Sequence, residues 1–426
     1  MRICIFEDHA ASGLDPLVLT RPVFELLCGQ TSLAAKHQRY FSPCEVGVLI
    51  RPYLVETYQS KHPRLWVNDL SWLRSGETVL VNGRWLPPAG KPIDATSPCV
   101  GLVDGEVAYA VVSAGRLTYC STNTLDDCLE TWRQTLPPRK AGGSLVHHPW
   151  DLVERNPEQI GIDFGHVPAG AVNATDASSL AVVGPRAKLF IDPTAQIEPM
   201  VLFDTTRGPI IVESEAMVAA FSRVEGPCVI GPGTQVLGAK IRAGTTLGPQ
   251  CRVGGEIEAS IIHGFSNKYH EGFLGHSYLG EWVNLAAGTH NSDLRNDYGK
   301  VTVRINGLPI DTGLKKVGCF LGDHTKTGLG TLLNTGTSVG MFCNLLPSGR
   351  YLPRYLPSFT SWWNGEPREN TDLVRLLQTA RTVMERRDRT CTVHDADLFR
   401  HLLDQSEDER RRFQRESEQR QLRRSA

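Results

Sequence analysis

One short stretch holds most of the residues that could do chemistry. Ser266-Asn-Lys-Tyr-His270 runs straight into Glu271 and Gly272. An imidazole with an ordinary pKa of about 6.5 accepts a proton at neutral pH, which is what freeing an amine to attack a carbonyl requires. A lone histidine is more often structural, here as the cap of a chain corner. Lys268, Tyr269 and Glu271 surround His270 where a repeat breaks, and that favours the catalytic reading. A second set is Arg21 and Lys36, which follow the first apolar run, Ile3–Phe6. Such a pair could hold phosphates at the strand-end crevice of an α/β domain. No Gly-rich phosphate fingerprint accompanies it, so the residues alone favour a solvated loop leading into an ordinary amphipathic helix. A third set is His263, His270, His276, His290 and His324, from which three imidazoles could meet one zinc across a subunit interface.

These residues lie within, or beside, a period of six. Four blocks run without a gap: Leu321–Lys326, Thr327–Leu332, Leu333–Ser338 and Val339–Asn344. Upstream, Ile230–Gln235, Ile241–Thr246, Leu247–Arg252, Leu279–Asn284 and Leu285–His290 obey the same rule. The first position is aliphatic in all but one block, the second is usually Gly and the fifth is small. That pattern is a coil with three flat faces: one short strand and one corner per block, with the first and fifth side chains inward. No block buries its apolar side alone, so neighbours must stack. The stack is interrupted at Ile262–Leu274, which contains His270, and at Asp293–Lys316. In the second break Lys300–Ile305 alternates, Asn306-Gly307 marks a tight turn and Leu308–Ile310 returns, which predicts a hairpin.

Residues 1–145 read as an α/β layer, with strands at Ile3–Phe6, Val46–Ile50, Thr78–Val81, Cys99–Val103 and Val107–Val112. Thr124–Thr135 reads as a helix capped by Thr124. Residues 146–180 read as a linker, 181–358 as the coil and 359–426 as a helical extension. Trp362 and Trp363 are expected to pack the last coil. The formal net charge of −1 argues against general affinity for nucleic acid. Eleven cysteines without a Cys-x-x-Cys pair argue against a disulfide framework. Glu7 and Asp8 come too early for a signal peptide, and no apolar run reaches membrane-spanning length. A cytoplasmic protein is expected, without membrane insertion.

Ser266–Gly275, followed by Leu279-Gly-Glu-Trp-Val-Asn-Leu-Ala-Ala-Gly-Thr289, resembles the acetyltransferase half of a bacterial family. That family is the bifunctional UDP-N-acetylglucosamine pyrophosphorylase / glucosamine-1-phosphate N-acetyltransferases. The resemblance implies an α/β nucleotidyltransferase-like domain, a left-handed parallel β-helix that trimerises, and acetyl-CoA bound between coils. Position by position, His270 matches the base, Asn284 a contact to the sugar phosphate, and Arg242 a phosphate or nucleotide contact. Ala287 falls where a backbone group meets the thioester, and Phe273 replaces a Tyr. Lys268, Tyr269 and Lys315 are expected at the substrate, Asp323 and Thr325 at the cofactor. The N-terminal region is similar to divergent sugar nucleotidyltransferase domains, which would put Arg21 and Lys36 on UTP and Asp104 on Mg²⁺. The expected reaction is acetyl transfer to an amino sugar phosphate, such as glucosamine 1-phosphate, coupled to nucleotidyl transfer. A zinc hydratase of the γ-carbonic anhydrase kind, a non-catalytic scaffold and a different amino sugar acceptor are the rivals.

Overall fold

Apolar runs flanked by turn residues build the first unit, which comprises Met1–Leu14, Thr20–Leu26 and Thr31–His148. The computed structural model describes residues 1–90, 93, 96–168 and 180–425. Seven strands form one mixed sheet in the spatial order Pro138–Lys140, Cys99–Val103, Glu106–Val112, Thr78–Asn82, Arg2–Phe6, Glu45–Leu49, Trp66–Val67. Arg2–Phe6 is central and pairs in parallel with Glu45–Leu49 and Thr78–Asn82. Ile3, Cys4, Ile5 and Phe6 are all buried, as expected for a parallel strand covered on both faces. The expected α/β layer is therefore present. Thr124 does not cap its helix through its side chain: the hydroxyl donates instead to the Tyr119 carbonyl at 2.7 Å.

The hexads build the second unit, which comprises Asp15–Leu19, Leu27–Gln30 and Pro149–Ala426. Its strands stack in parallel on three faces. On one face Ile230 meets Leu247, then Ile262, Leu279, Leu321, Val339 and Leu356, each rung in register with the next. All seven side chains are fully buried. Inward Thr hydroxyls tie rung to rung: Thr234 donates to the Gly248 carbonyl at 2.6 Å and Thr325 to that of Gly340 at 2.7 Å. The architecture is a three-faced parallel β-helix. Between Leu279 and Leu321 the chain leaves the stack for the expected hairpin, Thr302–Ile305 with Leu308–Asp311. Its Asn306-Gly307 turn has φ of +50° and +78°, the backbone that this dipeptide adopts most readily.

Two boundaries move. Much of the segment expected to be a linker is the helix Pro149–Phe164, which buries Trp150, Leu152, Val153 and Ile160. It docks on the coil: Asn156 Nδ2 donates to the Gly244 carbonyl at 2.9 Å. Residues 169–179 of that segment lie outside the described residues. At the other end the coil runs on to Thr360–Trp363, beyond residue 358, and closes in a hairpin with Glu366–Glu369. Trp362 is buried there, whereas Trp363 is 45% exposed. Three helices follow, Leu373–Glu385, Val393–Gln405 and Glu407–Ser425. Among the described residues no helix is long and apolar enough to cross a membrane.

Candidate functional site

One corner of the coil is built differently from the corners below it. Val253 is in register with Lys268, and Glu256 with Phe273. Gly254 and Gly255 turn the lower coil, while the upper one uses Tyr269, His270, Glu271 and Gly272. The two extra residues push His270 and Tyr269 outward, and both are exposed. Their rings lie 5.0 Å apart at 59°. Gly272 makes this corner possible: its φ is +144°, and a Cβ would stand 2.1 Å from the Thr289 carbonyl oxygen.

Lys268 holds the corner from inside. It occupies the inward column of Val236 and Val253 and is 2% exposed. Its ammonium donates to the carbonyls of His270 and Gly254. Burial pushes its pKa down to about 8, partly offset by Glu271. Expected at the substrate, Lys268 instead faces the core and positions the backbone of His270.

The next coil supplies the other half. The Gly288 N–H donates to the Glu271 carbonyl at 3.0 Å, so corner 286–289 sits directly on corner 269–272. Gly330 N–H in turn donates to the Ala287 carbonyl at 2.8 Å. The amides of Ala286, Gly288, Thr289 and His290 are all used: by Thr327 Oγ1, Glu271, Ala286 and Thr331. The Ala287 N–H finds no acceptor among the described residues. An unspent amide donor one rung from an imidazole, a spacing of about 4.8 Å, suits a carbonyl that gains negative charge. Gly288, Gly330 and the small Ala286 and Ala287 leave the corner open for a chain to lie against it.

The five coil histidines separate clearly. His263 Nδ1 lies 3.1 Å from the Tyr278 hydroxyl, and His276 Nδ1 lies 2.7 Å from Asp293. His290 Nδ1 accepts from the Phe273 N–H at 3.1 Å. His324 is buried, stacked 4.5 Å from Phe342. His270 alone is exposed with neither ring nitrogen bonded to any described residue. Among the described residues no group of three or more His, Cys, Asp or Glu is placed to hold a metal ion, so within one chain these imidazoles do not converge.

Other expected residues fall in several places. Asn284 is half-buried on the third face, its Oδ1 accepting from Asn267 Nδ2 at 3.2 Å. Arg242 lies just past the strand Lys240–Ile241 and pairs with Glu256 at 3.0 Å, with its side chain 46% exposed. Lys315 is exposed on the return of the excursion. Asp323 is buried, and its Oδ1 accepts from the Glu281 N–H at 2.8 Å. Thr325 is fully buried, its hydroxyl spent on Gly340. Both side chains serve the coil interior, so a cofactor contact through them is corrected.

In the first unit, Arg21 and Lys36 are more than nine-tenths buried. Asp104 is exposed at the tip of the hairpin joining Cys99–Val103 to Glu106–Val112, with φ of +48°. Its residue type answers to that turn, and among the described residues no group of three or more His, Cys, Asp or Glu is placed to hold a metal ion there. Missed in the sequence were Glu7 and Asp8, at the carboxyl end of the central strand. Glu7 accepts from the Val23 N–H and from the Arg51 guanidinium. Asp8 takes both Nε and Nη2 of the buried Arg84, which also meets Glu106 at 3.0 Å. Burial works to raise the Asp8 carboxyl, but the hydrogen bond and charge of Arg84 hold it below the usual range. The adjacent acids after an apolar strand were the signal.

Residues 3–171 match the family described as sugar nucleotidyl transferase. Among curated proteins, a bifunctional sugar-1-phosphate nucleotidylyltransferase/acetyltransferase of Sulfurisphaera tokodaii is 31% identical over 149 residues, covering 33% of this chain and 36% of its own. A bifunctional protein GlmU of Methanocaldococcus jannaschii is 34% identical, covering 25% of this chain and 26% of its own. One from Gloeothece citriformis is 34% identical, covering 28% and 22%. The chain thus matches about a third or less of the length of these relatives.

Proposed function

We take the chain as a relative of the bifunctional sugar-1-phosphate nucleotidylyltransferase/acetyltransferases, and propose that its coil is an acetyl-CoA-dependent N-acetyltransferase for an amino sugar phosphate, glucosamine 1-phosphate being the first candidate. The observation that carries this reading is His270: an exposed coil imidazole with neither nitrogen bonded to any described residue, set one corner below the Ala287 amide, which likewise finds no acceptor among them. The His270 imidazole takes a proton from the amino group, which then attacks the thioester carbon. The Ala287 N–H supports the developing oxyanion, and coenzyme A departs as its thiolate. Lys268 fixes the His270 backbone, and Asn284 offers its side-chain amide on the neighbouring edge. Acetyl-CoA supplies the activated acyl group, and a homotrimer would complete the groove between coils. For nucleotidyl transfer, the first unit contributes the crevice at the carboxyl end of its central strand. Arg21 and Lys36 are buried and Asp104 sits on an exposed hairpin tip, which is not how a triphosphate–metal site would be laid out, so no step is assigned to them.

The test is thiol release from acetyl-CoA with a panel of amino sugar phosphates, comparing the intact protein with His270→Ala. Turnover by the intact protein that falls at least ~100-fold in the variant supports the reading. A near-normal rate removes His270 from it.

A further inference from the structure

Two guanidinium groups share one edge of the coil with no carboxylate between them. Arg252 opens a third-face strand, and its Nη1 donates to the carbonyls of Gly233 at 3.0 Å and Cys251 at 2.9 Å. Arg387, just past the helix Leu373–Glu385, reaches back from the C-terminal extension. Its Nε donates to the Gln250 carbonyl at 3.3 Å and its Nη2 to Asn267 Oδ1 at 2.9 Å. The two side chains therefore rest on consecutive carbonyls, 250 and 251, and both are half-buried.

The column continues upward. Asn267 is the register partner of Arg252, Asn284 bridges to Asn267, and Lys326 bridges to Asn284. The Lys326 ammonium donates to the His324 carbonyl. Arg252, Asn267, Asn284 and Lys326 thus rise one rung at a time, about 4.8 Å each, with Arg387 reaching Asn267. Elsewhere the chain neutralises such arginines: Arg51 with Glu7, Arg84 with Asp8 and Glu106, Arg223 with Asp204 and Glu225. Here, among the described residues, neither arginine nor Lys326 has an acidic partner. Burial lowers the proton affinity of both guanidiniums, and the charge of Arg387 lowers that of Arg252 further. Burial also pushes Lys326 down to about 8. Like charges held together in a partly dry place are unfavourable until an anion joins them.

We propose that Arg252 and Arg387, with the Asn267–Asn284 amide pair, form a binding site for the phosphoryl group of a small ligand. Forked guanidiniums and amide donors on a rigid edge match the oxygens of a phosphate dianion. The phosphoryl group belongs either to a sugar phosphate or to the 3′-phosphate of coenzyme A.

The experiment is calorimetric titration with inorganic phosphate at low ionic strength, together with thermal melting, on the full chain. Arg252→Gln and Arg387→Gln are compared with wild type and with Arg207→Gln, an exposed control. Phosphate affinity should fall roughly tenfold in each test variant, as for one lost charged hydrogen bond, and not in the control. Without phosphate both variants should melt at or above wild type, since one like charge is gone. Competition then names the source: glucosamine 1-phosphate against glucosamine, and coenzyme A against dephospho-coenzyme A. Equal phosphate affinity in all proteins, or no difference within either pair, overturns the proposal. So does an Arg387→Gln protein that melts lower yet binds phosphate unchanged, which would make Arg387 a structural latch. None of these readouts uses acetyl transfer, so a protein that binds phosphate without transferring acetyl would overturn the proposed function alone.

Discussion

Lys268→Met separates a positioning role from a merely structural one. The wild-type ammonium is 2% exposed, and burial pushes its pKa from the ordinary 10.5 to about 8. A shift of that size corresponds to about 3 kcal/mol against holding the charge inside the coil. Methionine fits a column otherwise filled by Val236 and Val253, so the variant escapes that cost. It also leaves the carbonyls of Gly254 and His270 without their donor, at roughly 1–3 kcal/mol for each group left unsatisfied. The opposing terms leave stability at pH 7 nearly unchanged, while the corner that carries His270 loses its anchor.

The sign with pH follows from linkage. Below pH 8 the lysine is charged in both folded and unfolded chains and the full cost stands. Between pH 8 and 10.5 the folded chain releases its proton first, so this residue raises stability as pH climbs. The buried thiols of Cys228, Cys251, Cys319 and Cys343 work the other way: burial pushes them up, so stability falls as pH rises through the ordinary thiol value of 9.0. Lys326 shares the lysine behaviour. Those contributions are common to both proteins, so urea denaturation of wild type minus variant isolates Lys268. The difference should grow by about 3 kcal/mol across that window. In parallel, kcat for acetyl transfer should fall at least ~10-fold with KM for acetyl-CoA unchanged. Parallel stability curves, or a normal kcat, would refute the assignment.

Three further outcomes are expected. His270→Ala should lose at least ~100-fold in kcat, measured by thiol release, with the melting temperature unchanged because its ring is exposed and unbonded. Gly272→Ala should destabilise the coil by roughly 1–3 kcal/mol in urea, since its φ of +144° is reached by almost no other residue. Asp8→Asn should cost about 1–3 kcal/mol in the first unit by leaving the buried charge of Arg84 to the half-exposed Glu106 alone. In the wild type, stability supplied by Asp8 is present above the ordinary carboxyl value of 3.8 and is lost as pH falls below it. Acid titration followed by near-ultraviolet circular dichroism checks the last point.

The coil was legible because its period is stated by single residues: an aliphatic first position, a small fifth, and Asn306-Gly307 for the hairpin that leaves it. The corner of His270 was legible as a break in phase. Direction was not. Lys268 reads as a polar residue beside a candidate base, and only the register with Val253 shows that it faces inward. Thr325 and Asp323 likewise sit beside a conspicuous corner yet serve the interior. The helix Pro149–Phe164 was hidden by Pro149 and Pro157, which read as breakers although the first opens the helix. The acids at Glu7 and Asp8 gain meaning only from Arg51 and Arg84, which lie 44 and 76 residues on.

The assignment of Leu27–Gln30 to the coil unit sets an order of events at the ribosome. The Leu27 N–H donates to the Tyr278 hydroxyl, 251 residues downstream, and the Thr246 hydroxyl donates to the Gly29 carbonyl, 217 residues back. At about 5–20 residues per second, this early segment waits roughly ten seconds to a minute for its partners to be synthesised. The nascent N-terminal part therefore emerges with this segment undocked, and a fragment cut after His148 would keep it permanently without its seat.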